Sequence, residues 1–184
     1  RRPRPGSRRS VQPQVPLLLT SGTLAGCARG NEGSTSRRDA GGTRWLFKAE
    51  ERGTGEDWAE KIACELCALL GLPHVHYELA HDVAKDVPGV VCPTCVPPPA
   101  RLGLGYQFLQ AIDPGYPEGK KYHVRQHTVD AVAEILTFIG RPPPGSFCQQ
   151  MPAGITSALD AFAGYVMLDA WIANQDRHHE NWGA

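Results

Sequence analysis

An acidic residue, two adjacent histidines and an asparagine lie near the end of the chain, as Asp176, His178, His179 and Asn181. Asp176 and Asn181 stand five positions apart, directly after an apolar segment. A carboxylate can orient a hydroxyl group and accept its proton, and a neutral amide oxygen can hold a metal ion bound to nucleotide phosphates. A short loop can present both groups when they lie about one turn apart, so the spacing predicts phosphoryl-transfer chemistry.

The same spacing separates the catalytic aspartate and the metal-binding asparagine in the catalytic loop of protein kinases. Two other interpretations stay open. In one, the segment is a polar junction between a helix and a loop, with Asp176 as a cap and the histidines in solvent. In the other, Asp176, His178 and His179 form a metal site, although adjacent histidines on a loop rarely point at one ion and no HExxH spacing is present.

The composition is that of a globular protein without a strong charge bias. Basic and acidic side chains are equal at 19 each in 184 residues, so the net charge is zero. We therefore expect no direct binding to nucleic acid and no membrane association, and no apolar run approaches the roughly 20 residues of a transmembrane helix. A cytoplasmic location is expected. Because the first residue is Arg1 and not Met, we expect a fragment or an incomplete reading frame.

Four of the six cysteines form two CxxC pairs, Cys64 with Cys67 and Cys92 with Cys95. Paired cysteines of this kind are typical of zinc sites, so a zinc-binding protein is one alternative. The first pair falls inside an amphipathic helix, and the separation between the pairs exceeds the usual range. We therefore predict that Cys64 and Cys67 are small core residues and that the second pair is a coincidence of a loop.

Residues 1–42 are predicted to form a low-complexity, disordered arm, because their Arg-, Pro-, Gly- and Ser-rich composition buries too little surface to offset the entropy of ordering. Residues 15–19 and 24–27 superficially resemble a lipoprotein signal, but polar residues interrupt the apolar run. Residues 33–36 with Gly41 and Gly42 are compatible with a phosphate-binding loop or, preferably, a plain hairpin.

The remaining elements predict an α+β, two-lobed protein-kinase-like fold with an incomplete helical C-lobe. The small, strand-rich N-lobe covers residues 43–97 and the partial C-lobe covers residues 98–184, ending at the catalytic loop. The predicted strands are residues 44–48, 74–79 and 87–91, and the ambiguous segment is 104–112. The first helix has Thr54 as its N-cap and an apolar stripe of Trp58, Ile62, Leu66, Leu69 and Leu70; later helices begin at Thr128 and at Ser157, which pairs with Asp160.

Three pieces of the sequence, in order over about 140 residues, resemble the HipA-like family of bacterial serine/threonine kinases. The pieces are residues 45–48, residues 57–73 and residues 169–183, of which the last is the most specific. The resemblance implies that the chain is a HipA-like kinase truncated at its C-terminus. It also implies ATP and Mg²⁺ as cofactors, and a protein Ser/Thr hydroxyl as the phosphoryl acceptor.

The resemblance also implies a role for each matching residue. Asp176 would be the catalytic aspartate, Asn181 a metal ligand and His178 a residue that structures the loop. Lys48 would bind the nucleotide phosphates and Glu60 would pair with it, although the helical phasing places Glu60 away from the apolar stripe and favours Glu65. The connector at residues 91–101 would hold the adenine through backbone groups, without an assignable side chain.

The family has a second metal-binding aspartate after this loop, and the sequence stops at Ala184 before such a residue appears. The fragment is therefore expected to hold magnesium poorly and to be weak or inactive. A degenerate, non-catalytic kinase module that binds nucleotide or a partner is the second alternative. The resemblance further implies a protein substrate of unknown identity and an antitoxin-like partner.

Overall fold

The computed structural model describes residues 34–50, 53, 55–94, 102–117, 119–120, 122–142 and 151–184. No helix in these residues is long and apolar enough to cross a membrane. The described elements, in chain order, are β1 (Ser34–Arg38), β2 (Arg44–Ala49), α1 (Glu56–Leu70), β3 (Glu78–Asp82), β4 (Val87–Pro93), α2 (Gly105–Ile112), α3 (Val129–Ile139) and α4 (Ala158–Trp171).

The strands form one antiparallel sheet in the order β1-β2-β4-β3. Lys48 lies on the inner strand β2, between Ser34 of β1 and Val90 of β4. A hairpin joins β1 to β2, and Asp39 closes it by accepting hydrogen bonds from the backbone N–H of Thr43 and from Nε1 of Trp45, both at 2.9 Å. The hairpin prediction is confirmed.

The predicted boundary of the arm at residue 42 is wrong, because β1 lies before it and pairs along its whole length with β2. The Ser-, Thr- and Arg-rich sequence of β1 concealed the strand. Such polar composition is common at the edge of a sheet, where charged side chains discourage pairing with another chain. The rest of the predicted arm, residues 1–33, lies outside the described residues.

Helix α1 buries a different face from the predicted one. Its buried residues are Cys64 and Cys67, whereas Trp58 is 54% exposed and Leu69 is 78% exposed. The small thiol side chains let the helix approach β4 and β3 closely, and Leu66 and Leu70 of the predicted stripe also pack against the core. The core role of the cysteine pair is confirmed. The predicted stripe is wrong at Trp58, Ile62 and Leu69, which are exposed. The helix follows Gly55, and the predicted cap Thr54 lies outside the described residues.

The segment between α1 and β3 is not the predicted strand at 74–79, since β3 begins only at Glu78. Its backbone instead bonds to neighbouring helices. The hydroxyl of Tyr165 on α4 donates to the carbonyl oxygen of Pro73 at 2.5 Å, and the N–H of Tyr77 donates to Sγ of Cys64 at 3.3 Å. Pro73 has no N–H with which to extend the hydrogen bonds of a sheet. The two hydrogen bonds connect the segment to α4 and to α1.

The later helices begin where the sequence predicts. Oγ1 of Thr128 accepts a hydrogen bond from the N–H of Ala131 at the start of α3, and Ser157 and Asp160 form a reciprocal capping box at the start of α4. Helix α4 is apolar on nearly all sides, so it keeps exposed apolar residues as well as buried ones. Its buried residues are Ala158, Ala161, Tyr165, Leu168 and Asp169.

Candidate functional site

The strand lysine and the helix glutamate of the predicted site form an ion pair. Nζ of Lys48 lies 3.2 Å from Oε1 of Glu60, with the Lys48 side chain 32% exposed and that of Glu60 14% exposed. Glu60 can reach the strand because it lies on the same face of α1 as Cys64 and Cys67, four and seven positions further along. The alternative partner, Glu65, points away and pairs with Lys61 at 2.6 Å.

The carboxylate of Asp176 and the amide of Asn181 are also adjacent. Nδ2 of Asn181 donates hydrogen bonds to the backbone oxygen of Asp176 at 2.6 Å and to its Oδ2 at 2.9 Å. Both partners are acceptors, so the amide nitrogen must face Asp176 and Oδ1 of Asn181 is directed away from it. The Asp176 side chain is 50% exposed, whereas Asn181 is buried with 4% exposure.

Asp176 and Asn181 belong to a closed ring of hydrogen bonds that includes a buried carboxylate, Asp169 on α4. Oδ1 of Asp169 accepts from Nδ2 of Asn174 at 2.7 Å, and Oδ1 of Asn174 accepts from the N–H of Asp176 at 3.1 Å. On the other side Arg177 binds Asp169 through Nε at 2.6 Å and Nη2 at 2.8 Å. Nη1 of Arg177 donates to the carbonyl oxygen of Asn181 at 3.2 Å and closes the ring.

His178 makes its contacts within the loop. Its Nδ1 accepts from the N–H of Glu180 at 3.1 Å, which places the ring proton on Nε2, 3.5 Å from Oδ1 of Asp176. The ring of His179 is turned away by 82° and is buried elsewhere. Among the described residues no group of three His, Cys, Asp or Glu side chains is arranged for a metal ion, so the three-residue site of Asp176 with both histidines is not formed.

The loop is anchored through a cluster of aromatic and imidazole rings around Trp182, which is fully buried. The indole stacks on Phe108 and His127, meets Phe162 edge-on, and donates its N–H to Nε2 of His127 at 3.2 Å. A Cβ atom at Gly105 would lie 2.2 Å from the indole, so glycine is required where α2 begins. The end of the loop is therefore held by packing that does not involve Asp176.

The second anchor is His179, which shares a hydrogen bond of 2.5 Å with the hydroxyl of Tyr116 and accepts the backbone N–H of Tyr106 at its carbonyl oxygen. Burial raises the pKa of Tyr116 to about 12 and lowers the pKa of His179. Burial likewise lowers the pKa of His127 to about 4, with smaller effects from the two neighbouring histidines. The cluster is consequently uncharged at neutral pH.

Backbone pairing completes the anchoring of the loop. Leu104 and Gly183 form an antiparallel bridge, and Gly103 and Ala184 exchange hydrogen bonds of 2.8 and 2.9 Å. The N–H of Gly105 donates to the carbonyl oxygen of Trp182 at 2.8 Å. The residues that follow Asn181 thus add a short strand beside the beginning of α2.

Helix α1 connects the two parts of the site. Cys67 is fully buried, and the charges of Arg177 and Asp169 act on its thiol, whose pKa burial raises to about 12. A helical rise of 1.5 Å per residue separates Cys67 from Glu60 by about 10 Å along the axis. Glu60, in the first half of α1, therefore contacts the lysine of the sheet, and Cys67 lies buried on the same face two turns further along.

The cysteines do not assemble a zinc site in the part of the chain that the structure describes. Cys64 and Cys67 lie in the core, and Cys92 is buried within β4. Cys95 and the rest of the predicted adenine-binding connector lie outside the described residues.

Three residues of this site escaped sequence reasoning, namely Asp169, Arg177 and Trp182. Asp169 could have been noticed in the sequence because it is a carboxylate inside a largely apolar helix. A buried charge of this kind needs a partner. Comparisons with models of protein families, with curated proteins and with solved structures found no match for this chain.

Proposed function

We propose that this chain is a kinase-like phosphotransferase of the HipA-like type, which uses ATP and Mg²⁺ and transfers the terminal phosphoryl group to a Ser or Thr hydroxyl of a protein. The observation that carries the proposal is the loop geometry, in which a half-exposed Asp176 carboxylate adjoins the buried Asn181 amide. That arrangement combines a proton acceptor with a metal ligand, as phosphoryl transfer from a nucleotide requires.

In this proposal Asp176 orients the acceptor hydroxyl and takes its proton as the oxygen attacks the terminal phosphorus. The bond from that phosphorus to the bridging oxygen breaks, and the nucleoside diphosphate leaves. Bound Mg²⁺ would neutralise charge on the phosphates. Oδ1 of Asn181, which its hydrogen bonds direct away from Asp176, is a neutral oxygen of the type that Mg²⁺ accepts, so the donor chemistry of the loop fits the ion.

The Lys48–Glu60 pair supports the nucleotide part of the proposal. In protein kinases a strand lysine and a helix glutamate must pair before the lysine can bind nucleotide phosphates. Here the pair is formed, with the Lys48 side chain still 32% exposed. Lys48 would thus be held in position and remain accessible to a phosphate.

The proposed setting follows from the same resemblance. The fold would be a two-lobed kinase fold with an incomplete helical lobe, acting in the cytoplasm on a protein substrate. An antitoxin-like partner belongs to the same proposal.

The test is transfer of labelled terminal phosphate from ATP, in the presence of Mg²⁺, to generic protein acceptors and to the chain itself. Asp176→Asn should lower transfer by roughly 10²- to 10⁴-fold, since it removes the proton acceptor and keeps the shape. Asp160→Asn is the matched control, because it makes the same change in the capping box of α4. The decisive sample is a chain extended past Ala184 to supply the second metal-binding aspartate that the resemblance implies. Absence of transfer by that wild-type chain, with Mg·ATP binding that survives Asp176→Ala, would instead identify a non-catalytic nucleotide-binding module.

A further inference from the structure

Asp169 is a buried carboxylate near the residues proposed to react. It lies in the last turn of α4 and is only 6% exposed. Its side chain accepts hydrogen bonds from two loop residues, Asn174 and Arg177. A buried charge is costly unless its partners compensate it fully, and a neutral apolar residue could fill the same space in an apolar helix. A carboxylate here therefore needs a reason beyond stability.

The two hydrogen-bonding partners of Asp169 each contact one of the two residues proposed to react, Asp176 or Asn181. Through Asn174, the carboxylate fixes the backbone N–H of Asp176. Through the two-pronged contact with Arg177, it fixes the carbonyl oxygen of Asn181. A bidentate arginine–carboxylate pair restricts orientation as well as distance. The separation between Asp176 and Asn181 is consequently set by a group that touches neither of their side chains.

We propose that Asp169 is a positioning residue that holds Asp176 and Asn181 at their working separation through Asn174 and Arg177. The role rests on the proposed function, because it concerns the same site. The ordering of the loop that it describes is nevertheless measurable without any transfer reaction.

The test compares Asp169→Asn and Arg177→Lys with the control Asp160→Asn in the full chain. Asn at 169 places an NH₂ donor opposite a donor of Asn174 or Arg177, and Lys at 177 keeps the charge but loses the two-pronged contact. The first measurement is amide hydrogen exchange at Asp176 and Asn181. Both variants should lose at least tenfold protection there, while Asp160→Asn should lose protection only near the start of α4.

The second measurement is the Mg²⁺ dependence of transfer. Residues that orient a metal ligand typically change metal affinity or activity by about 10- to 100-fold when replaced. Asp169→Asn should accordingly need about 10- to 100-fold more Mg²⁺ for half-maximal rate, and Asp160→Asn should match the wild type.

The outcomes separate the two proposals. If exchange at Asp176 and Asn181 in Asp169→Asn equals that in Asp160→Asn, or if the Mg²⁺ dependence is unchanged, the positioning role is overturned. If the loop loses protection as expected but a wild-type chain extended past Ala184, with the second metal-binding aspartate that the resemblance implies, shows no transfer to any acceptor, the ordering by Asp169 is supported and the proposed function is overturned.

Discussion

Replacement of Glu60 by glutamine tests whether the Lys48–Glu60 ion pair serves nucleotide binding or only stability. The substitution keeps the size of the side chain and removes its charge. Lys48 then keeps a weak hydrogen-bonding partner. It loses the electrostatic attraction that holds its Nζ 3.2 Å from Oε1 of residue 60.

We expect the substitution to change the stability of the fold and the affinity for Mg·ATP by different amounts. Because the Lys48 side chain is 32% exposed, solvent screens the pair, and the free energy of unfolding should fall by less than about 1 kcal/mol. A lysine that is no longer held must lose up to about 2 kcal/mol of side-chain entropy when it binds phosphate. The Kd for Mg·ATP should consequently rise roughly tenfold, equivalent to about 1.4 kcal/mol.

The assay is titration calorimetry with Mg·ATP, alongside thermal unfolding of the same samples. Glu65→Gln is the matched control, since it removes a second lysine–glutamate pair from α1 at 2.6 Å on the exposed side. The control should leave the Kd for Mg·ATP unchanged. Equal affinities for Glu60→Gln and Glu65→Gln would refute the reasoning, whatever their stabilities.

Three further changes probe the anchoring of the loop and the helices. Gly105→Ala introduces a Cβ atom 2.2 Å from the buried indole of Trp182, so thermal unfolding should show a loss of about 1–3 kcal/mol. Tyr165→Phe removes the hydroxyl that donates to the carbonyl oxygen of Pro73 and should lower the free energy of unfolding in urea by about 1–3 kcal/mol. Because burial lowers the pKa of His127 from 6.5 to about 4, the unfolded chain takes up the proton first as the pH falls. Stability should therefore be complete above pH 6.5 and decline towards pH 4 by at most about 3 kcal/mol, which denaturant titrations at several pH values would measure.

Local signals in the sequence were sufficient where an element is specified by its own residues. The starts of α3 and α4 were predicted because Thr128, Ser157 and Asp160 cap them through bonds within a few positions. Strand β4 was predicted from its apolar run, which is buried between β2 and β3. Each of these depends on neighbours in the sequence more than on distant contacts.

Predictions failed where distant contacts decide which side of an element is buried. The apolar stripe of α1 favoured Glu65 as the inward glutamate, but the helix turns Glu60 inward, where Lys48 neutralises it. The sequence of α1 alone does not indicate that a lysine lies on a strand beside it. The ring of hydrogen bonds through Asp169 was missed for the same reason. Its members come within hydrogen-bonding distance only when the loop folds back onto α4.

The pairing of residues 182–184 with residues 103–105 has a consequence for the order of folding. The contact joins distant parts of the chain, and its main side chain, Trp182, is the largest among those fully buried. Contacts between distant residues form slowly, because the intervening chain must first be closed into a loop. During synthesis the sheet and α1 can assemble early, whereas the ring cluster must wait until Trp182 has emerged. The proposed reactive centre would thus mature after the sheet and α1, and a nascent chain would not acquire its chemistry before that part of its framework has formed.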